Sequence, residues 1–208
     1  MKDKFINAEK KDVRLVQFYE DEILQKLDII KKMILFKSHI GLERVFARKT
    51  TVVDDTSKYL TKTTVNNFLN KNHIQGACAY KFAYGLLSKN TNELLAVMLF
   101  NYTTSNRGSI CNGKDWELVR FASDKQIVGG ASKLLTAFCL DDRINEIANI
   151  VSYSDNRISD GQLYKSLGFE LEREVPPDYY YIDITNNRAS TKRFHKSYMK
   201  KFSTSSIS

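Results

Sequence analysis

The sequence predicts an α+β fold, with a mixed, mostly antiparallel central sheet flanked by helices and preceded by a strand-helix extension. From residue 80 onward, short apolar runs alternate with polar turns, which is the pattern of paired strands. Two stretches with helical spacing separate the later strands, which gives the order β-β-β-α-β-α-β-β. With 208 residues, 42% of them hydrophobic and 12% aromatic, the chain can bury an ordinary core.

The N-terminal extension is predicted to cover residues 1–55. Residues 13–19 form a short, largely apolar run that predicts a strand, and residues 20–36 carry apolar side chains at helical spacing. A linker and a further strand are predicted over residues 38–55.

The first half of the central domain is predicted to hold a short helix and a hairpin. The helix covers residues 63–69, and Thr63 or Thr64 can cap it. Two apolar runs at residues 84–88 and 94–103 flank a polar turn, so they predict a β-hairpin.

The second half alternates strands and helices. A strand is predicted over residues 116–122, a helix over 130–147, a strand over 150–154 and a helix over 159–167. Gly168 follows that helix as its stop, because glycine readily adopts the left-handed conformation that ends helices.

A last hairpin, made of residues 169–174 and 179–184, is predicted across a proline-containing turn. The central domain therefore spans residues 56–186, and residues 187–208 form a basic C-terminal tail.

The net charge of +8 is concentrated in that tail. Residues 184–208 contain six basic residues and no acid, interleaved with aromatic side chains. Such a segment is suited to lie along a phosphate backbone and stack on exposed bases. A solvated basic helix, or a terminus that packs its aromatic residues on the domain, is the alternative.

Several classes of protein and of site are not expected. No run of about 18 apolar residues predicts a membrane span, and residues 1–11 lack the apolar core of a signal peptide. The three cysteines are scattered, which favours a reducing, cytoplasmic setting, and we interpret them as structural. The three histidines are also scattered, so no metal site is predicted.

Residues 126–135, with the sequence QIVGGASKLL, are typical of a strand-to-helix turn that faces an anion. Gly129 and Gly130 let the backbone approach a phosphate without a Cβ, and the helix N-terminus supplies amide donors and about half a positive charge. Taken alone, the same turn is equally typical of an ordinary helix start.

This turn, followed by the segment LYKSLGF at residues 163–169, resembles the GNAT family of N-acetyltransferases. That family's loop has Gln or Arg, then Gly three residues on and Gly or Ala two further on, which Gln126, Gly129 and Ala131 match. The resemblance implies that acetyl-CoA or another acyl-CoA binds between two splayed central strands. The implied contacts are Phe121, Gln126, Val128, Gly129, Gly130, Ala131 and Ser132.

The resemblance also implies that Tyr164 protonates the departing CoA thiolate. The alternative is that Tyr164 packs on the sheet as an ordinary helix residue. Many family members have Asn seven residues and Ala four residues before this tyrosine, where this chain has Arg157 and Asp160.

Five further segments resemble an acetyltransferase-like module of phage proteins, akin to the Mom group of DNA-modifying acyltransferases. They are residues 72–76, 117–121, 128–134, 152–157 and 177–181. The resemblance implies a nucleic-acid partner, DNA rather than RNA, in the cytoplasm of a host cell.

Residues 15–22 and 46–50 resemble the end of a very-short-patch-repair-like nuclease domain and its linker. The metal-binding nuclease core would precede these segments, so we expect no DNA cleavage by this chain.

Glu117 lies at the start of a predicted strand, where the resembled enzymes often place a base, so the resemblance implies that it is the general base for the attacking amine. The candidate acceptor-binding residues are polar or aromatic side chains able to read a base edge. They are His73, Arg120, Asp155, Arg157, Ser159, Tyr179 and Tyr181. The alternatives are a solvated strand glutamate, ion pairs of Arg120 with Glu117 and of Arg157 with Asp155, and tyrosines that pack in the core.

The leading hypothesis is an acyl-CoA-dependent N-acyltransferase that acts on a nucleic-acid base or another nucleic-acid-linked amine. The first alternative is a GNAT-like DNA-binding module without turnover, derived from a homing endonuclease. The second is an acetyltransferase of proteins or small molecules. The sequence does not predict an oligomeric state.

Overall fold

The computed structural model describes residues 4, 7–8, 10–41, 43–103, 114–175, 180–182 and 193–195. Its contacts divide the chain into unit 1, Met1–Leu27 with Asn156–Ser208, and unit 2, Asp28–Asp155. Unit 2 contains a five-stranded, mostly antiparallel sheet with helices packed on it, which confirms the predicted α+β class.

The helices are α1 (Glu20–Ser38), α2 (Lys62–Asn72), α3 (Gly130–Cys139) and α4 (Gln162–Ser166). The strands are β1 (Arg44–Phe46), β2 (Thr50–Asp54), β3 (Phe82–Ser88), β4 (Leu94–Tyr102), β5 (Asp115–Ser123), β6 (Gln126–Val128), β7 (Asn149–Val151), β8 (Tyr180–Ile182) and β9 (Arg193–His195). The main sheet has the order β2-β3-β4-β5-β7, in which only β7 runs parallel to its neighbour. β1 pairs with β6 in parallel, and β8 pairs with β9 in antiparallel orientation.

The predicted helix over residues 20–36 is confirmed as α1. Its first turn carries three acids and its last turn carries Lys37, which suits the helix dipole, and Lys26 breaks the helical geometry at a kink. The strand predicted over residues 13–19 is wrong. This segment has no β-ladder, and the Gln17 N–H instead donates to the Arg157 carbonyl in a loop at 2.8 Å.

Helix α2 covers one face of the sheet. Thr61 caps it, since its Oγ1 accepts a hydrogen bond from the Thr64 N–H at 3.2 Å, two residues earlier than the first cap that the sequence predicted. The buried side chains on this face form one cluster. They are Leu60, Val65, Leu69, Ala83, Val97, Leu99 and Ala122.

Helix α3 covers the opposite face through an aromatic cluster. Phe138 stacks on Phe100 with 3.6 Å between ring centroids, and Tyr84 and Trp116 meet Phe138 edge-on. All four side chains are buried. The hairpin β3–β4 supplies Tyr84 and Phe100, which confirms the predicted pairing of residues 84–88 with 94–103.

Other boundaries also differ from the prediction. Strand β7 is Asn149–Val151 where residues 150–154 were predicted, and α4 is Gln162–Ser166 where residues 159–167 were predicted. Helix α3 ends at Cys139, eight residues before the predicted end, and a turn at 142–143 follows it. The predicted last hairpin is wrong, because the described residues 169–175 form no strand and β8 pairs with β9 instead. Gly168 does end α4, with φ +85°.

Arg143 explains the early end of α3. Its guanidinium donates to Asp141 at 2.5 Å, Asp55 at 2.7 Å and Asp54 at 3.3 Å, and Asp141 also accepts the Tyr84 hydroxyl at 2.6 Å. We call these four charged residues the Arg143 cluster. Its charge-assisted bonds join the end of β2 and the buried Tyr84 to the loop after α3.

We expect Arg143→Ala to lower the free energy of unfolding by about 2 kcal/mol, because three carboxylates lose their shared cation. Chemical denaturation at neutral pH measures the change. Arg44→Ala is the matched control, since Arg44 is an exposed arginine with one side-chain bond, to Gln126, and we expect a loss of about 0.5 kcal/mol or less.

Wild type and Arg143→Ala should also differ in how their free energy of unfolding depends on pH. Hydrogen bonds from Arg143 hold the pKa of Asp141 well below its usual 3.8, so the contribution of Asp141 to stability is present above pH 3.8 and is lost as the pH falls below it. The stability difference between wild type and Arg143→Ala therefore shrinks between pH 6 and pH 2. A difference that stays constant across this range would contradict the assignment.

Candidate functional site

The glycine turn, residues 126–132, opens α3 as the sequence predicts. Gly129 has φ +76°, a conformation that glycine adopts without strain, and no side chain caps the helix. The first turn of the helix contains no acid. Its amides therefore keep the partial positive charge that an anion requires.

The two glycines of this turn have different roles. A Cβ on Gly130 would lie 2.8 Å from the Ile127 side chain, so Gly130 is required for packing, whereas Gly129 is required for its backbone conformation. Gly130 and Ala131 are buried, while Val128, Gly129 and Ser132 are exposed. An anion can approach only from the exposed side.

Strand β1 runs alongside the glycine turn, which the sequence did not predict. Arg44 pairs with Gln126 and Phe46 with Val128 in the parallel β1–β6 ladder. The Gln126 side chain, an implied cofactor contact, accepts a hydrogen bond from Arg44 Nε at 3.0 Å. Gln126 thus has a structural role in the pairing.

A β-bulge brings Glu117 and Arg120 together. Glu117 lies opposite Asn101 and Arg120 opposite Leu99, so Val119 is the extra residue in β5. Because residues 99 and 101 share a face of β4, Glu117 and Arg120 also share one face, although their odd spacing would otherwise separate them. Phe121 pairs with Met98 and lies on the opposite face.

The surroundings of this pair are largely buried. Glu117 is 7% exposed, and Arg120 Nε is buried without a hydrogen-bond partner among the described residues, while its Nη1 donates to the Val119 carbonyl at 2.7 Å. Burial raises the pKa of the nearby Cys78 thiol, the charge of Arg120 lowers it and that of Glu117 raises it. A buried donor without a partner is uncommon and is often found at functional sites.

The β5–β7 ladder ends at the same point. Its last pair is Glu117 with Val151, and beyond it the Ser152 hydroxyl donates to the Leu118 carbonyl at 2.9 Å. A side-chain hydrogen bond thus replaces the backbone ladder immediately beyond Glu117.

Other predicted acceptor residues have local structural partners. His73 ends α2, and its Nδ1 accepts a hydrogen bond from the Gln75 N–H at 3.1 Å. In unit 1, the Ser159 hydroxyl accepts from the Gly161 N–H at 3.2 Å. Asp155, at the end of unit 2, is half-buried and has an interaction partner.

Arg157 forms an ion pair with the buried Glu22. The sequence analysis had considered an acceptor-binding role for Arg157, or an ion pair with Asp155 as the alternative. Its guanidinium donates to both oxygens of the 7%-exposed Glu22, at 3.0 and 3.3 Å, and lies 4.2 Å from the centroid of the Tyr19 ring. These contacts hold residues 17–22 and the loop at residue 157 together in unit 1.

Tyr164 belongs to α4 of unit 1, where it is half-buried and its ring meets Phe169 edge-on with 5.7 Å between centroids. Tyr181 lies in β8 opposite Phe194, and Tyr179 lies outside the described residues.

Each unit contains a cleft away from the glycine turn. One of about 410 Å³ in unit 2 is bordered by Asp54, Asp141 and Arg143 of the Arg143 cluster, by Tyr84 and by the end of α3. One of about 300 Å³ in unit 1 is lined by residues 12–16, 156 and 158–160, including the Arg14–Asp160 ion pair. Neither is lined by residues 126–132.

Within the described ranges, no group of three or more His, Cys, Asp or Glu side chains is arranged to hold a metal ion. No helix in those ranges has both the length and the apolar character needed to cross a bilayer. Comparison with protein-family models, with curated proteins and with solved structures finds no match to this chain.

The ion pair of unit 1 gives a prediction that separates a structural role of Arg157 from a binding role. Arg157→Ala removes the guanidinium that donates to both oxygens of the buried Glu22 carboxylate, so we expect the free energy of unfolding to fall by about 3 kcal/mol. Urea denaturation measures it, and adding Glu22→Gln should recover part of the loss. Arg14→Ala is the control, because its ion pair with Asp160 is exposed and contributes about 0.5 kcal/mol. Equal effects of Arg157→Ala and Arg14→Ala would contradict the structural role.

Proposed function

We propose that this protein is an acyl-CoA-dependent N-acyltransferase whose acceptor is a nucleic-acid base or another nucleic-acid-linked amine. The observation that carries the proposal is the bulge at Val119, which sets Glu117 and Arg120 on one face of β5 where the β5–β7 ladder ends. The glycine turn adds an uncapped helix start at which the phosphates of the donor can bind.

The reaction joins the acceptor nitrogen to the thioester carbonyl carbon and breaks the carbon–sulfur bond. Glu117 takes the proton that the amine loses, and Arg120 donates from its unpartnered Nε to a ring nitrogen or carbonyl of the acceptor. A buried carboxylate and a half-buried guanidinium on the same face favour an acceptor with a hydrogen-bond donor next to an acceptor atom. The departing thiolate takes up a proton. The family resemblance implies that Tyr164 is the donor of this proton.

The donor site is tested by two nearly isosteric substitutions at Gly129. Asn and Asp both tolerate a positive φ, but only Asp places a negative charge beside the helix start. We expect acetyl-CoA to bind Gly129→Asn more weakly than wild type, because a Cβ hinders the approach of the phosphates, and Gly129→Asp at least about tenfold more weakly still, by isothermal titration calorimetry. Calorimetry still detects binding with a Kd of about 1 mM. Absence of detectable acetyl-CoA binding to wild type would therefore contradict the proposal.

The acceptor is tested by mass spectrometry of nucleosides from cells that express the protein. We expect an acylated nucleoside with wild type and a roughly hundredfold lower amount with Glu117→Gln, which keeps the shape but removes the base. Lys58→Gln, an exposed substitution outside β5, is the control. An unmodified profile of both DNA and RNA would remove the nucleic-acid acceptor.

A DNA-binding module without turnover is the second candidate, and one feature favours it. Gly130 is packed against Ile127 and Leu86, and neither described cleft includes the turn, so a structural role accounts for this turn as well. This candidate requires that the chain binds duplex DNA with an affinity that falls steeply as the salt concentration rises. It also requires that the chain does not bind acetyl-CoA.

A further inference from the structure

A cationic and aromatic surface adjoins the glycine turn. We call Arg44, Phe46, Arg48 and Lys49 the β1 platform; it consists of β1 and the 3₁₀ turn that follows. Phe46 is 44% exposed and faces Val128, which is 46% exposed, across the ladder. The Arg48 guanidinium carbon lies 4.8 Å from the centroid of the Phe46 ring, so a planar cation and an aromatic ring are already stacked in the open.

The β1 platform is held rigidly beside the turn. Lys133, in the first turns of α3, donates from Nζ to the Ala47 carbonyl at 2.9 Å and to the Thr50 carbonyl at 2.6 Å. A Cβ on Gly129 would lie 3.6 Å from the Ala47 Cβ. A ligand group bound at Gly129 therefore lies within a few ångströms of the platform.

The charge around the β1 platform is predominantly positive. The Lys49 carbonyl accepts a hydrogen bond from the Lys89 N–H at 3.1 Å, which brings a further lysine residue close. Glu43, the acid that precedes β1, pairs with Lys125 at 2.9 Å. Among the described residues, no carboxylate pairs with Arg48 or Lys49, so both cations can bind an anionic ligand.

We infer that the β1 platform binds the 3′-phosphoadenosine end of the acyl-CoA donor, with the purine stacked on the Phe46–Arg48 pair and the 3′-phosphate held by Arg48 and Lys49. A stacked aromatic–guanidinium pair beside a second cation matches a ligand that carries a flat ring next to a phosphate. The inference rests on the proposed function, since the glycine turn would hold the pyrophosphate of the same molecule.

The experiment compares binding of CoA and dephospho-CoA, which lacks the 3′-phosphate, by isothermal titration calorimetry on the full chain. Wild type should prefer CoA by about tenfold, and Arg48→Gln should abolish this preference. Phe46→Leu should weaken both ligands by about threefold, because stacking is lost while the apolar volume remains. The matched control is Lys58→Gln, since Lys58 also lies over an exposed aromatic ring, that of Tyr59 at 5.2 Å, and it should change neither affinity.

Thermal melts of the variants distinguish lost binding from lost folding, and all three substitutions are exposed. If CoA binds and Arg48→Gln behaves like Lys58→Gln, the inference is overturned while the proposed function stands. If CoA does not bind wild type, the proposed function fails and the inference fails with it. If Arg48→Gln weakens only the binding of a single-stranded oligonucleotide, the platform is a nucleic-acid contact and the inference is likewise overturned.

Discussion

One extra residue in β5, Val119, determines which charged side chains share a face of the sheet. Without the bulge at Val119, Glu117 and Arg120 would point to opposite faces, one toward the aromatic core under α3 and the other toward the cluster under α2. The bulge gives both charges to one face and coincides with the end of the β5–β7 ladder. Bulges are frequent next to active sites, because they re-aim side chains and end strand pairing. The polar pair therefore lies in a largely buried region at the end of that ladder.

The rest of unit 2 keeps this arrangement in place. The aromatic cluster fixes α3 on one face, and the Arg143 cluster ties the loop after α3 to the end of β2. At the other end of α3, Gly129 and Gly130 start the helix, while Lys133 fastens the 3₁₀ turn after β1. Packing alone explains Gly130, but it does not explain why the exposed neighbours of the turn are basic and aromatic. The donor-binding proposal accounts for both features.

The sequence was a reliable guide where local chemistry decides the structure. Helical spacing predicted α1, the polar turn between two apolar runs predicted the β3–β4 hairpin, and Gly168 predicted the end of α4. The Glu22–Arg157 ion pair was not predictable, because its members are 135 residues apart. The β1–β6 ladder was not predictable because its strands have only three residues each, too few for an alternating pattern to predict their pairing. The bulge follows no glycine, and Leu118, Val119 and Arg120 are all compatible with a regular strand. The early end of α3 was not predictable either. It depends on bonds of Arg143 to Asp141 and to the end of β2, and the sequence alone does not show that β2 lies close.

The central claim is that an acyl-CoA donor lies against the amides that open α3 and reaches the strand that carries Glu117. Hydrogen–deuterium exchange of the full chain with and without acetyl-CoA tests it most directly. We expect peptides that cover residues 126–133 and 117–121 to exchange more slowly when acetyl-CoA is present. The exchange rate of the β3–β4 hairpin should not change. Unchanged exchange in both of those peptides at saturating acetyl-CoA would contradict it.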